Sequence, residues 1–168
     1  AVGVSPADLT AVVITHHDDD HIGALAQLKR TYPQVHILAG AEEAPYISGE
    51  KKSLRLIQAE ALQPTLPPEA QEWGRQFRRL PSVEPAPVDG LLHSGDLLPW
   101  CGGCQVIATP GHTPGHISLF LPPLSMLIPG DAAVVERGTL AVANPQFALD
   151  LPAAEQSLDL LRSLSWDT

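Results

Sequence analysis

The sequence predicts an α+β fold, and three observations carry the prediction. A β-branched apolar run near the start leads through a polar loop into a helix and then into a second apolar run. Short strand candidates separated by Gly and Pro turns fill the second half, and an amphipathic helix closes the chain. The 168 residues suit one domain, and 44% hydrophobic against 17% charged residues is enough apolar material for a core.

The elements follow in order. Leu9 to Thr15 is a continuous apolar run, as expected of a strand buried on both faces. From His21 the period changes: Ala24, Leu25 and Leu28 recur at helical spacing, and Lys29 and Arg30 fall where cations suit the helix dipole, which predicts a helix over 22–31. Val35 to Ala39, closed by Gly40, is a second strand, and strand, helix and strand together imply parallel pairing. The stretch 41–90 is rich in Pro and charge and holds helix-compatible segments at 52–62 and 68–79, so it reads as a helical cap or insertion. Trp73 and Phe77, four apart in the second segment, read as the small core that attaches the cap. Strands are predicted at 96–99, 105–109, 117–121 and 125–128 in the spacing of antiparallel hairpins. Asp150 can cap a last helix opened by Pro152, with Ala154, Leu158, Leu161 and Leu164 on one face. Cys101 and Cys104 sit at a predicted hairpin turn; a redox pair would open a helix and a structural zinc would need two more ligands, so a plain turn is expected.

Charge excludes some functions. Ten Lys and Arg against nineteen Asp and Glu give a net charge of −9, and no basic cluster exceeds Arg78 and Arg79, which argues against nucleic acid as a partner. No apolar run approaches the roughly 20 residues of a membrane-spanning helix, and no basic region followed by an apolar stretch opens the chain. No membrane partner and a cytoplasmic location are expected.

Histidine placement is what composition does not explain. Five of the seven, His16, His17, His21, His112 and His116, fall in two short segments. The first, Thr15-His16-His17-Asp18-Asp19-Asp20-His21-Ile22-Gly23, lies between a buried strand and a helix, where open α/β sheets place their ligands. Three adjacent carboxylates repel one another unless cations neutralise them, and one or two divalent metals would do so. The second segment, Thr109-Pro110-Gly111-His112-Thr113-Pro114-Gly115-His116, fixes two histidines on a rigid backbone, and Pro129-Gly130-Asp131 places a carboxylate after an apolar strand.

In this order the three segments resemble the metallo-beta-lactamase superfamily, whose pattern is Thr-His-x-His-x-Asp-His-x-Gly, then Gly-His, then Gly-Asp, then a final His. The resemblance implies a four-layer αββα sandwich with a metal site at the sheet edges. It implies that His16 and His112 bind a first metal, Asp20 and His21 a second, and that Asp131 bridges the two. It further implies that the strands before the first motif, and the end carrying the final His, fall outside residues 1–168. A sheet edge left open in that way would suit a homo-oligomer.

Asp18 stands where the pattern has its second His. A carboxylate there is similar to the flavodiiron branch of the superfamily, and oxygen ligands favour harder cations, so Asp18 is taken as a ligand that tilts the metal toward iron or manganese while zinc stays the first choice. His17, next to it, is expected to point away from the metal. A metal lowers the pKa of bound water from about 15.7 toward 7 and so supplies hydroxide at neutral pH. Asp20 is expected to accept a proton during the reaction and His116 to orient a ligand or the substrate oxyanion. The leading expectation is a metal-dependent hydrolase acting on an ester, lactone or thioester-like bond of a small-molecule substrate. A flavodiiron-like diiron oxidoreductase and a metal-binding or interaction domain with little catalysis are the alternatives.

Overall fold

Two sheets meet face to face in the middle of the molecule. The structure, a computed structural model, describes residues 3–77 and 83–164, and side chains over 3–72 and 83–164. The Trp73 and Phe77 side chains, Arg78 and Arg79 therefore lie outside the described residues.

The first sheet is parallel. β1 (Ala11–Ile14) pairs with β2 (His36–Gly40), Val12 opposite Ile37, and β2 pairs with β3 (Gly90–Leu92), Leu38 opposite Gly90. Between β1 and β2 run α1 (Asp19–Ile22) and α2 (Leu25–Thr31). The helix expected over 22–31 thus begins at Asp19 and is interrupted at Gly23 and Ala24. Two carboxylates in its first turn lie where the positive end of the helix dipole favours them. After β2 come α3 (Ala44–Ile47), α4 (Leu54–Leu62) and α5 (Pro68–Phe77). α4 has no fully buried residue, as suits a helix lying over the surface, whereas Ile47 and Ala86 from the same stretch join the core.

The second sheet is antiparallel, in the order β4 (Leu97–Leu98), β5 (Cys104–Ala108), β6 (Ile117–Leu121) and β7 (Met126–Ile128). All five residues of β6 are buried. A hairpin of β8 (Val134–Glu136) and β9 (Thr139–Ala141) leads to α6 (Leu151–Arg162). Cys101 lies in the turn before β5 with φ of 52°, and Cys104 opens that strand; both thiols are free.

Alternation along the parallel strands builds the layers. Val13 and Leu38 face the second sheet and pack against Val106, Ile117, Leu119 and Leu121. Ile14, Ile37 and Ala39 face the other way, against Ile22, Leu25 and Ala26. On the far side Leu158 and Leu161 of α6 pack with Ala132, Ala133 and Leu140. Helices, sheet, sheet and helix make the αββα sandwich. Among the described residues no helix is long and apolar enough to cross a membrane.

Asp150 holds the start of α6, its Oδ1 accepting from Ala153 N at 3.0 Å while its own N–H donates to Gly111 O at 2.9 Å. Gly111 has φ of 136°, and a Cβ there would lie 2.3 Å from Ala154 N, so only glycine lets the second histidine loop seat against α6. Asp150→Ala is expected to lower stability by about 1 kcal/mol in urea unfolding, the usual worth of an N-cap carboxylate.

Candidate metal centre

The two histidine loops meet where the sheets touch. β1 ends at Ile14 and runs straight into the first loop, and Ile117 N of β6 donates to Thr15 O at 3.0 Å, which ties that loop to the second sheet. Asp18 keeps an extended backbone (φ −67°, ψ 146°) just before α1, and its side chain makes no cap hydrogen bond, so the carboxylate is left for the site.

Among the described residues, two groups bring ligand atoms within 4.8 Å of one another: His16, Asp18 and His112, and His16, His21 and Asp131. His16 is common to both. Asp18 Oδ2 lies 3.0 Å from His112 Nε2 and 3.7 Å from His16 Nε2. Asp131 links the groups, with Oδ1 3.3 Å from His21 Nε2 and Oδ2 3.6 Å from His112 Nε2. The rings of His21, His112 and His116 crowd His16, at 4.1, 4.7 and 5.1 Å between centroids.

The electrostatics suit a cation. Burial, with the neighbouring His116 and His21 next in weight, pushes the His16 pKa down to about 2, so its ring is neutral. Its Nδ1 bonds Thr15 Oγ1 at 3.0 Å, while Nε2 is buried without a hydrogen-bond partner. A neutral imidazole with an unshared nitrogen facing two carboxylates and two imidazoles is a donor set that a divalent metal fits. Burial alone would raise the Asp18 carboxyl; hydrogen bonds from His112 and Arg55 and the Arg55 charge outweigh it and hold the group well below the usual carboxylate range.

The structure sets Asp20 apart from both groups. It lies in the first turn of α1, 80% exposed, with Oδ2 3.8 Å from His21 Nε2. His17 turns away from the site: its backbone N donates to Glu43 Oε2 at 2.9 Å, its Nδ1 pairs with the same oxygen, and its ring stacks on Tyr46 at 4.4 Å. Glu43 Oε1 accepts from Thr113 Oγ1 and Gly115 N, each at 2.8 Å. One buried carboxylate thereby joins both histidine loops to the end of β2. Sequence reasoning missed it; the available signal was an acidic pair, Glu42 and Glu43, just past a buried strand.

His116 acts through the backbone. Pro129 O can only accept, so Ser118 Oγ donates to it (3.0 Å) and takes its own hydrogen bond from Thr109 Oγ1 (2.8 Å). Thr109 then accepts from His116 Nδ1–H (2.8 Å), which leaves Nε2 to accept from Asp131 N–H at 3.1 Å. Burial, and then His112, bring the His116 pKa down to about 3, consistent with this neutral tautomer. The relay grips the Pro129-Gly130-Asp131 turn at both ends. Gly130 is required there, because it has φ of 54° and a Cβ would lie 2.8 Å from His116 Nε2. Thr109→Val leaves a buried N–H without its acceptor and is expected to cost about 1–3 kcal/mol in urea unfolding. Unchanged stability would disprove the relay.

A profile of the metallo-beta-lactamase superfamily matches residues 1–165, and the chain belongs to that superfamily. It is 31% identical over 140 residues to the probable metallo-hydrolase YflN of Bacillus subtilis, covering 79% of this chain and 48% of that protein. It is 29% identical over 168 residues to a hydroxyacylglutathione hydrolase of a Synechococcus species, covering 95% and 48%. The chain spans about half the length of these relatives. Among solved structures, the metallo-beta-lactamase family protein TTHA1429 from Thermus thermophilus matches with a TM-score of 0.68 at 23% identity, over 98% of this chain and 54% of that one, which shows a shared fold. TTHA1623, solved in a di-iron-bound form, matches with a TM-score of 0.60 at 26% identity, over 92% and 64%.

Proposed function

We propose that this chain forms the metal-binding part of a hydrolase that cleaves a thioester or related ester bond in a small-molecule substrate. The observation that carries the reading is the pair of ligand groups sharing neutral His16, with Asp131 between them. His16 Nε2 has one lone pair and serves one ion at a time, so His16, His21 and Asp131 would hold one ion, and Asp18 and His112, with Asp131 Oδ2 3.6 Å from His112 Nε2, the other. A bound divalent metal supplies a Lewis acid and an activated water. The chain's own residues do the rest: His116 fixes Asp131 through its backbone, Glu43 fixes both loops, and the exposed Asp20 carboxylate stands at the mouth, where it can pass a proton to solvent. α4 and α5 are proposed to cap that mouth. The thioester preference is supported by the relatives named hydroxyacylglutathione hydrolase.

Zinc is the first metal proposed. Iron has specific support, since Asp18 is a hard oxygen ligand and one structural neighbour holds two irons. The test is hydrolysis of a glutathione thioester, a lactone and a phosphodiester after loading with zinc, iron or manganese, beside an oxygen-reduction assay of the iron form. Thioester turnover abolished by chelation is expected. Absence of hydrolysis with every metal, together with oxygen reduction, would favour the diiron alternative.

A further inference from the structure

α4 contributes a residue that belongs to none of the sequence motifs. Arg55, in its first turn, reaches into the site with its side chain 22% exposed. Its Nε lies 3.1 and 2.9 Å from Asp18 Oδ1 and Oδ2. Nη2 lies 2.8 Å from Asp18 Oδ2, 3.0 Å from His112 Nε2 and 3.3 Å from His112 O. Nη1 donates to Phe147 O at 2.6 Å. All three guanidinium nitrogens are engaged, and arginine keeps its charge at any ordinary pH.

Two of these contacts fall on the atoms that the first group would offer an ion. An imidazole nitrogen carries one proton or one lone pair. While His112 Nε2–H donates to Asp18 Oδ2 it has no lone pair for an ion, and an ion that replaced that proton would have Arg55 Nη2 3.0 Å from its ligand atom. Asp18 Oδ2 is contested in the same way, and a fixed positive charge this close repels a divalent cation. The other group has no such competitor: among the described residues, the side-chain contacts of His21 and Asp131 are with His16, Asp20 and His112 and each other.

We propose that Arg55 makes the two metal positions unequal. The His16–His21–Asp131 position fills first and takes the one free lone pair of His16; a second ion, held by Asp18 and His112 beside Asp131 Oδ2, enters only by displacing Arg55, which detaches α4 from the site. The inference rests on the metallohydrolase reading above. It also gives Asp18 a reason to be a carboxylate, since a histidine there could not neutralise an arginine. Removing Arg55 leaves the Asp18 carboxylate bonded to His112 but without the neighbouring positive charge, and it then binds an available cation more strongly.

Calorimetric titration of the full, metal-stripped chain with Zn²⁺ and with Mn²⁺ tests this, alongside hydrogen exchange of residues 54–62. The wild type is expected to bind in two steps at least tenfold apart in affinity, and α4 is expected to lose protection with the second. Asp131→Ala should abolish the tighter step. Arg55→Gln should strengthen the weaker step at least tenfold and leave α4 equally exchangeable with and without metal. Arg55→Lys, which keeps the charge but loses the planar fork, should fall between them and carries the test if the Gln variant folds poorly. A weaker step that is unchanged or weakened by Arg55→Gln would overturn the role of Arg55 alone. A wild type that binds no ion would overturn it together with the metallohydrolase reading.

Discussion

His16→Ala is expected to remove tightly bound metal and to lower kcat/KM for the hydrolysed bond about a thousandfold. The size follows from the position of the side chain. His16 is the one residue whose ligand atom belongs to both groups, so its loss leaves Asp18 with His112 and His21 with Asp131, two ligands on each side. Two ligands do not hold a divalent ion against water at a site that normally needs three or four. Metal contributes several kcal/mol of transition-state stabilisation in such enzymes, and about 4 kcal/mol is about a thousandfold in rate. Metal analysis, a urea unfolding curve and kinetics on the same preparation separate this loss from misfolding. If His16→Ala kept full metal content and activity within tenfold of the wild type, neither group would be the metal site.

The sequence made the two histidine loops legible because their chemistry is local. Adjacent His and Asp residues after a β-branched run, and histidines framed by Pro and Gly, are visible without knowing what they touch. Direction is harder to read than position. Asp18 and Asp20 are two apart in one acidic run, yet α1 begins between them: Asp18 stays extended and faces inward, while Asp20 turns outward in the first helical turn. β3 was not legible because Gly90–Leu92 is three residues long and is a strand only through its pairing with β2, some fifty positions earlier. The two-residue β8–β9 turn has φ of 51° at Arg137 and 78° at Gly138, and of that positive pair only the glycine marks a turn in the sequence. Glu43 and Arg55 were invisible for one shared reason. Their partners lie 26 to 92 residues away in sequence, and no local pattern distinguishes a carboxylate or guanidinium that will be buried from one that will be solvated.

Glu43→Gln is expected to destabilise the protein by about 3–5 kcal/mol, the cost of breaking a buried pair from one side. Glu43 is fully buried and receives four donors: His17 N–H, His17 Nδ1–H, the Thr113 hydroxyl and Gly115 N–H. Glutamine offers one acceptor oxygen, and its NH2 group must face the backbone N–H of either Gly115 or His17; the Thr113 hydroxyl or the His17 ring can turn over to accept, so one of the four contacts becomes repulsive and the charge is lost. The pH dependence gives an independent check. Burial would raise the Glu43 carboxyl, but the hydrogen bonds and charge of His17 and the hydrogen bond from Thr113 prevail and hold it below its ordinary value of 4.5. A depressed folded-state pKa stabilises the fold above the unfolded value, and that contribution is lost as pH falls through the folded one. The stability gap between wild type and Glu43→Gln should therefore be full at neutral pH and should shrink as pH drops below about 4.5. A gap that stayed constant into acid would mean that the charge on Glu43 is not what joins the two histidine loops. Because those loops carry His16 and His112, the variant should also bind metal about 10 to 100 times more weakly, the usual effect of removing a group that orients a ligand.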